Sequence, residues 1–356
     1  MPETSVDTNT LPAVFDGHND VLLRLYRAGG PKAAESFVTG GPGHIDLPKA
    51  REGGLGGGFF AVYVPSDEGD TDHDEMARDS YDLPLPEPVP QDRALQVAMA
   101  QIATLERLQE LGALKICRSA AEIHISMVEH KLAAVLHMEG AEAIDPELIT
   151  LDVLHGAGLR SLGPVWSRPT IFGEGVPFRY PSDGNTGGGL TDLGVALVRR
   201  CNALKIMLDL SHMTMAGFWD VAKHSDAPLV ATHSNAHAIC PHARNLTDAQ
   251  LDAIAASDGM VGLNYATAFL RPDGRMVDTG LDDMLRHLDH LLDRLGESRV
   301  GLGSDFDGAL IPSAIGTAAG LPALRRAMVA HGYGPELIAR ICQGNWLRVL
   351  EKTWGH

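Results

Sequence analysis

Short apolar runs rich in β-branched and aromatic residues recur along the chain, separated by longer segments whose apolar residues return at helical spacing. Eight such runs stand out, at 14–20, 58–64, 132–139, 158–166, 206–212, 229–233, 260–265 and 300–305. Amphipathic stretches lie between them, among them 92–111, 190–203, 247–256 and 281–295, and a further one at 335–351 closes the pattern. A strand buried on both faces reads as a nearly continuous apolar run, so this alternation predicts repeated βα units around a parallel sheet. Eight units in 356 residues predict a (β/α)8 barrel of the TIM type, an α/β fold, and not an open doubly wound sheet, with 1–356 as a single domain.

Two connections are too long to be simple turns. Residues 65–91 hold an acidic stretch, DEGDTDHDE, followed by LPLPEPVP, whose alternating prolines favour a stiff extended path. Residues 167–189 are rich in glycine but also carry Phe172, Phe178, Arg179 and Tyr180. Both follow strands, the second and the fourth, which puts both at the C-terminal face where barrels of this kind keep their active sites. A lid, a pocket wall or a subunit contact fits either. The acidic stretch itself reads as a solvated loop, because nothing fixes its geometry for a metal. The glycines of GGLGGG at 53–58 precede a strand instead of following one, so they are not a nucleotide-binding loop.

With 44% hydrophobic residues the chain can bury a sizeable core, which excludes disorder. Its 46 acidic and 29 basic residues leave a net charge of -17, a field that repels nucleic acid and anionic membranes. The first twenty residues hold no basic segment followed by an apolar one, and no run approaches 18 uninterrupted apolar residues, so the expectation is a cytoplasmic protein without membrane contact. Cys117, Cys201, Cys240 and Cys342 stand far apart with no CxxC, and are expected to be buried free thiols.

The chemistry gathers at strand ends, where a parallel barrel strand should be apolar and a polar side chain needs a reason. The first run ends His18-Asn19-Asp20, and residues two apart on a strand face the same way, so His18 and Asp20 point together into the barrel mouth. The third run ends in Glu139, the fifth in His212, the sixth in His233 and the eighth in Asp305. Three imidazoles and three carboxylates converging there are costly to bury unless they hold cations. Mixed nitrogen and oxygen donors suit zinc, and the set is too large for one tetrahedral ion but suits two ions sharing a carboxylate. His137, on the same strand face as Glu139, reads as packing, while His44, His124, His130, His224, His287 and His356 are explained by surface or supporting positions. No Gly-x-Ser-x-Gly elbow appears and no cysteine is placed as a nucleophile, so covalent catalysis lacks a candidate.

Taken together, FDGHND at 15–20, HMEGAEAI at 137–144, LDLSHMT at 208–214, ATHSNAHAICPHARNLTD at 231–248 and GLGSDFDG at 301–308 resemble the membrane (renal) dipeptidase family of zinc hydrolases. The resemblance implies a metal-dependent barrel of the amidohydrolase type, usually a homodimer, that cleaves dipeptides and often accepts a D-residue on the C-terminal side. It implies two Zn2+ per chain, one on His18 and Asp20 and the other on His212 and His233, sharing Glu139 and a bridging water or hydroxide. Asp305 falls at the position of the acid/base that passes a proton to the leaving amine, and Arg244 where the family holds the substrate's terminal carboxylate. Trp166 stands where the family has a histidine that hydrogen-bonds the scissile peptide; together with Tyr265 it is expected to line the substrate pocket. An indole donates one N–H but accepts no proton, so a restricted substrate range is expected. The family's secretory and lipid-anchor signals have no counterpart in this sequence. The rival readings are a related hydrolase of N-acyl amino acids, lactones or a specialised biosynthetic peptide, and a non-catalytic ligand-binding barrel.

Overall fold

The computed structural model describes residues 11–66 and 73–355; residues 67–72 of the acidic stretch, and His356, lie outside the described residues. Eight parallel strands form the centre: β1 (Val14–Asn19), β2 (Leu55–Tyr63), β3 (Leu132–Glu139), β4 (Leu159–Gly163), β5 (Met207–Leu208), β6 (Val230–Ala231), β7 (Met260–Asn264) and β8 (Val300–Gly303). Pairing runs β5-β4-β3-β2-β1-β8-β7-β6, and a parallel bridge between Asp209 and Val230 joins the two ends, so the sheet closes in chain order. The eight-fold alternation in the sequence is therefore a (β/α)8 barrel. A short strand at Leu114–Ile116, not expected from the sequence, pairs alongside the lower half of β3 where β4 has not yet joined.

The amphipathic stretches form the outer helices, as in Leu281–Leu295, which buries Met284, Leu285, Leu288, Leu291 and Leu295 and carries Asp282 and Asp283 in its first turn. The stretch 335–351 is broken into Pro335–Ala339, a wider π-type turn at Arg340–Gly344, and Asn345–Trp354. That break delivers Trp346 beneath the barrel, where its indole Nε1 donates to the Leu302 carbonyl at 3.0 Å and its ring packs on Phe15 and Phe59. A Cβ at Gly17 or Gly262 would run into the Trp346 ring and the Thr232 carbonyl, so glycine at these two positions makes room for the plug.

At the opposite end the two long connections meet. Tyr81–Asp82 pairs antiparallel with Arg179–Tyr180, and the Leu83 N–H donates to the Phe178 carbonyl at 3.0 Å. A third connection, after β7, is tied in through Met276 N–H to the Met76 carbonyl and Tyr81 Oη to the Gly274 carbonyl. Their apolar side chains, including Met76, Leu83, Phe178 and Phe269, form a small separate core over the barrel mouth.

The runs 206–212 and 229–233 are mostly not strand. Each supplies two strand residues, because the Asp209 carboxylate accepts the N–H groups of Ser211 and Thr232 and turns the chain away from the ladder. His212 and His233 consequently stand on turns just above the barrel.

Candidate metal centre and cavity

His18, Asp20, Glu139, His212 and His233 come together at the C-terminal end of the barrel, all buried. Glu139 is the hub. Its Oε1 lies 3.0 Å from His212 Nε2 and 3.5 Å from the Nε2 atoms of both His18 and His233. His18 Nε2 is also 3.4 Å from Asp20 Oδ2, and the His18 and His233 rings stack with centroids 3.9 Å apart. His212 and His233 bring their Nε2 atoms within 3.1 Å of each other.

Supporting hydroxyls fix which nitrogen faces inward. Ser167 Oγ stands 2.9 Å from His212 Nδ1, and Thr232 Oγ1 stands 2.8 Å from His233 Nδ1. The Thr232 hydroxyl donates to Asp209 Oδ2 at 2.5 Å, so the proton on the His233 side belongs to Nδ1 and the Nε2 lone pair turns to Glu139. Burial, then the neighbouring Arg244 guanidinium, pushes His212 down to about 3, which keeps it a neutral donor of a lone pair. Burial opposes charge on Glu139, yet His18 first and then the neighbouring His212 and His233 imidazoles hold its carboxyl well below the usual range. For Asp20 burial dominates and pushes the carboxyl up to about 7.

These residues fit a metal. Both ring nitrogens of His18 are buried with no hydrogen-bond partner among the described residues, an arrangement costly to a polar group unless an ion takes the lone pair. His18, Glu139 and His233 offer ligand atoms within 4.8 Å of one another, and so do His18, Asp20 and Asp305. His137 is more than packing: its Nδ1 meets Ser161 Oγ at 2.8 Å, its Nε2 lies 3.6 Å from Asp209 Oδ2, and its ring stands edge-on to that of His18.

Asp305 begins the turn after β8, its N–H donating to the His18 carbonyl at 3.0 Å and its Oδ2 accepting from Asn264 Nδ2 at 3.0 Å. It lines a cavity of about 420 Å³ together with Asp20, Glu139, His212, Trp166 and Phe269. The Trp166 indole packs on Tyr63, Phe178 and His212, and behind it the buried Arg168 guanidinium lies 5.6 Å from its ring and pairs with Glu142 at 2.6 Å.

Two expected pocket residues sit elsewhere. Tyr265 is fully buried against Phe306 and does not reach the cavity, since its side chain points from the end of β7 into the core. Arg244 is buried behind the histidines: its Nη1 donates to the Ser211 carbonyl, its Nη2 lies 3.2 Å from His212 Nε2, and its guanidinium covers the Phe269 ring. Its Nε has no hydrogen-bond partner among the described residues. His287, expected at a surface or supporting position, is a wholly buried brace between the Ala236 N–H and the Leu270 carbonyl. Asp209, Thr232, Ser167 and Asn264 escaped the sequence reading; the one available signal was Asp209, a charge inside an apolar run three residues before His212.

The chain is similar to known proteins over almost its whole length. The family model described as membrane dipeptidase (peptidase family M19) matches residues 8–354. An uncharacterized protein in the pqqA 5′ region of Klebsiella pneumoniae is 46% identical over 263 residues, covering 73% of this chain and 97% of its own. A metallo peptidase from Rhodobacter sphaeroides, solved with a phosphinate mimic of the dipeptide L-Ala-D-Ala, is 53% identical and superposes with a TM-score of 0.94, covering 97% of this chain and 100% of its own. The crystal structure of dipeptidase AC, also 53% identical, superposes with a TM-score of 0.91 over 98% of this chain and 100% of its own.

Proposed function

The chain belongs to the membrane dipeptidase family and is a metal-dependent dipeptidase, and we propose that it works with two zinc ions on dipeptides, including those whose C-terminal residue is D. The observation that carries this reading is the position of Glu139 Oε1, within 3.0–3.5 Å of three inward-facing imidazole nitrogens on the floor of a dipeptide-sized cavity. His18 and Asp20 would hold one ion, His212 and His233 the other, and Glu139 both. Bound zinc supplies a water of lowered pKa and polarises the scissile carbonyl. The D-residue is supported by the Rhodobacter sphaeroides relative, whose ligand mimics L-Ala-D-Ala.

The remaining work falls to the chain's own groups. Asp305, oriented by Asn264, takes a proton from the attacking water on its carboxylate and returns it to the leaving amine. Arg244 lies behind His212, outside the lining of the cavity, and would meet the terminal carboxylate of the substrate through its uncommitted, buried Nε. Trp166 narrows and dries the cavity wall beside His212.

The test is metal analysis together with a substrate panel. Purified protein is expected to carry about two zinc ions per chain, to lose activity to a strong chelator, and to hydrolyse L-Ala-D-Ala and L-L dipeptides faster than acyl amino acids or lactones. Full turnover without metal would end the zinc assignment, and a preference for acyl amino acids or lactones would end the substrate assignment.

A further inference from the structure

The turn that carries Asp305 is held by a residue the reaction above does not use. Asp305 and Asp307 both adopt left-handed backbone, with φ of 59° and 68°, a conformation that side chains other than glycine resist. His44 clasps it. The His44 N–H donates to Asp307 Oδ1 at 2.6 Å, and the Asp307 N–H donates to His44 Nδ1 at 2.9 Å. Arg24 Nε completes the clasp 3.1 Å from Asp307 Oδ2. Gly43 has a φ of 95°, and a Cβ there would stand 2.6 Å from Asp307 Oδ1, so the residue before His44 must be small for the loop to approach.

The clasp decides the tautomer. Because Nδ1 accepts a main-chain N–H, the single proton of the neutral ring sits on Nε2. Burial favours that neutral form. The hydrogen bonds of His44 run through its backbone N–H and Nδ1, none through Nε2 among the described residues, and His44 lines the cavity beside Asp305 and Asp307. The loop thus presents one N–H donor of fixed orientation to whatever enters.

Position in the ring says which part of a dipeptide it meets. His44 is tied to the turn after β8, next to β1, whereas Arg244 is tied to Ser211 and His233 after β5 and β6, on the far side of the eight-strand closure. A dipeptide with its carboxylate on Arg244 extends its first residue toward His44. The α-ammonium cannot accept a hydrogen bond, and a side-chain carboxylate there would meet Asp305 and Asp307. We infer that His44 is a specificity residue whose Nε2–H donates to a neutral oxygen acceptor, amide or hydroxyl, on the side chain of the substrate's first residue. The inference rests on the dipeptidase reading and on the carboxylate role of Arg244.

The test compares Asn-Ala with Leu-Ala, two dipeptides of nearly equal shape, on zinc-loaded wild type, His44→Phe and His44→Gln. Wild type is expected to favour Asn-Ala in kcat/KM by about 10-fold or more, since a site built around a hydrogen bond discriminates against the analogue lacking it. His44→Phe is expected to abolish the preference, mainly through KM for Asn-Ala, and His44→Gln, which keeps an N–H, to retain part of it. Nitrogen-15 NMR of the wild-type imidazole is expected to show protonated Nε2 and bare Nδ1. An unchanged Asn/Leu ratio in His44→Phe, an equal loss on both substrates, or a proton on Nδ1 would overturn the assignment. Cleavage of L-Ala-D-Ala with neither of these two dipeptides would overturn the inference alone, whereas no cleavage of any of the three would end the dipeptidase reading and the inference with it.

Discussion

Asp209 and His233 are joined through one hydroxyl: Thr232 Oγ1 donates to Asp209 Oδ2 at 2.5 Å and stands 2.8 Å from His233 Nδ1. The same carboxylate accepts the N–H groups of Ser211 and Thr232 at 3.1 and 2.9 Å. Burial works against a charge on Asp209, yet His233, His137 and these hydrogen bonds hold its carboxyl below the usual range. One buried anion therefore shapes the turn before His212, the turn before His233, and the tautomer that aims His233 at Glu139.

Removing the Thr232 hydroxyl should loosen the metal. Thr232→Val keeps the volume but leaves His233 Nδ1 without its partner, and metal affinity should fall by about 10–100-fold, with Thr232→Ser recovering most of it. A chelator-competition titration reads this directly. Equal affinity in all three proteins would mean that the hydroxyl only fills space.

Asp305→Asn should separate binding from turnover. The amide still accepts from Asn264 but cannot shuttle a proton, so kcat should drop by about 10²–10⁴-fold while metal content stays unchanged. A metal-loaded variant with wild-type kcat would remove Asp305 from the reaction.

Arg244→Ala should weaken dipeptides far more than their C-terminal amides, because the fork of an arginine is matched to a carboxylate. Steady-state kcat/KM on matched pairs of acids and amides is the measurement. Equal losses on both would show that Arg244 serves only to brace Ser211, His212 and His233, which it already contacts.

Trp166→His restores an imidazole beside His212 and opens the wall shared with Tyr63 and Phe178. The order of relative rates across the dipeptide panel should change and the range should broaden. Parallel rates for every substrate would show that the indole has no part in selection.

Glu142→Ala should destabilise the metal-loaded protein by about 3–5 kcal/mol, because it strands the buried Arg168 charge, whereas Glu142→Gln keeps an acceptor and should cost less. Denaturant midpoints compare the three proteins. Coincident curves would mean that Ser66 and the Val64 carbonyl satisfy Arg168 without help.

The barrel, and the charged residues that interrupt its strands, are legible in the sequence alone. Strands buried on both faces must be apolar throughout, so their number and spacing are visible, and so is any charge that interrupts them, as at His18, Asp20, Glu139, His212, His233 and Asp305. Tertiary structure decided what those residues lean on. Asp209 ends β5 by capturing N–H groups 2 and 23 residues away, which no local pattern foretells. Tyr265 closes an apolar run like a pocket residue, and only the folded chain shows it buried in the core against Phe306. His44 looks like a loop histidine until the chain returns 263 residues later with Asp307. Backbone periodicity is a local property written in neighbouring residues, whereas tautomers, clasps and buried ion pairs arise from contacts between distant segments, and only the closed barrel brings those segments together.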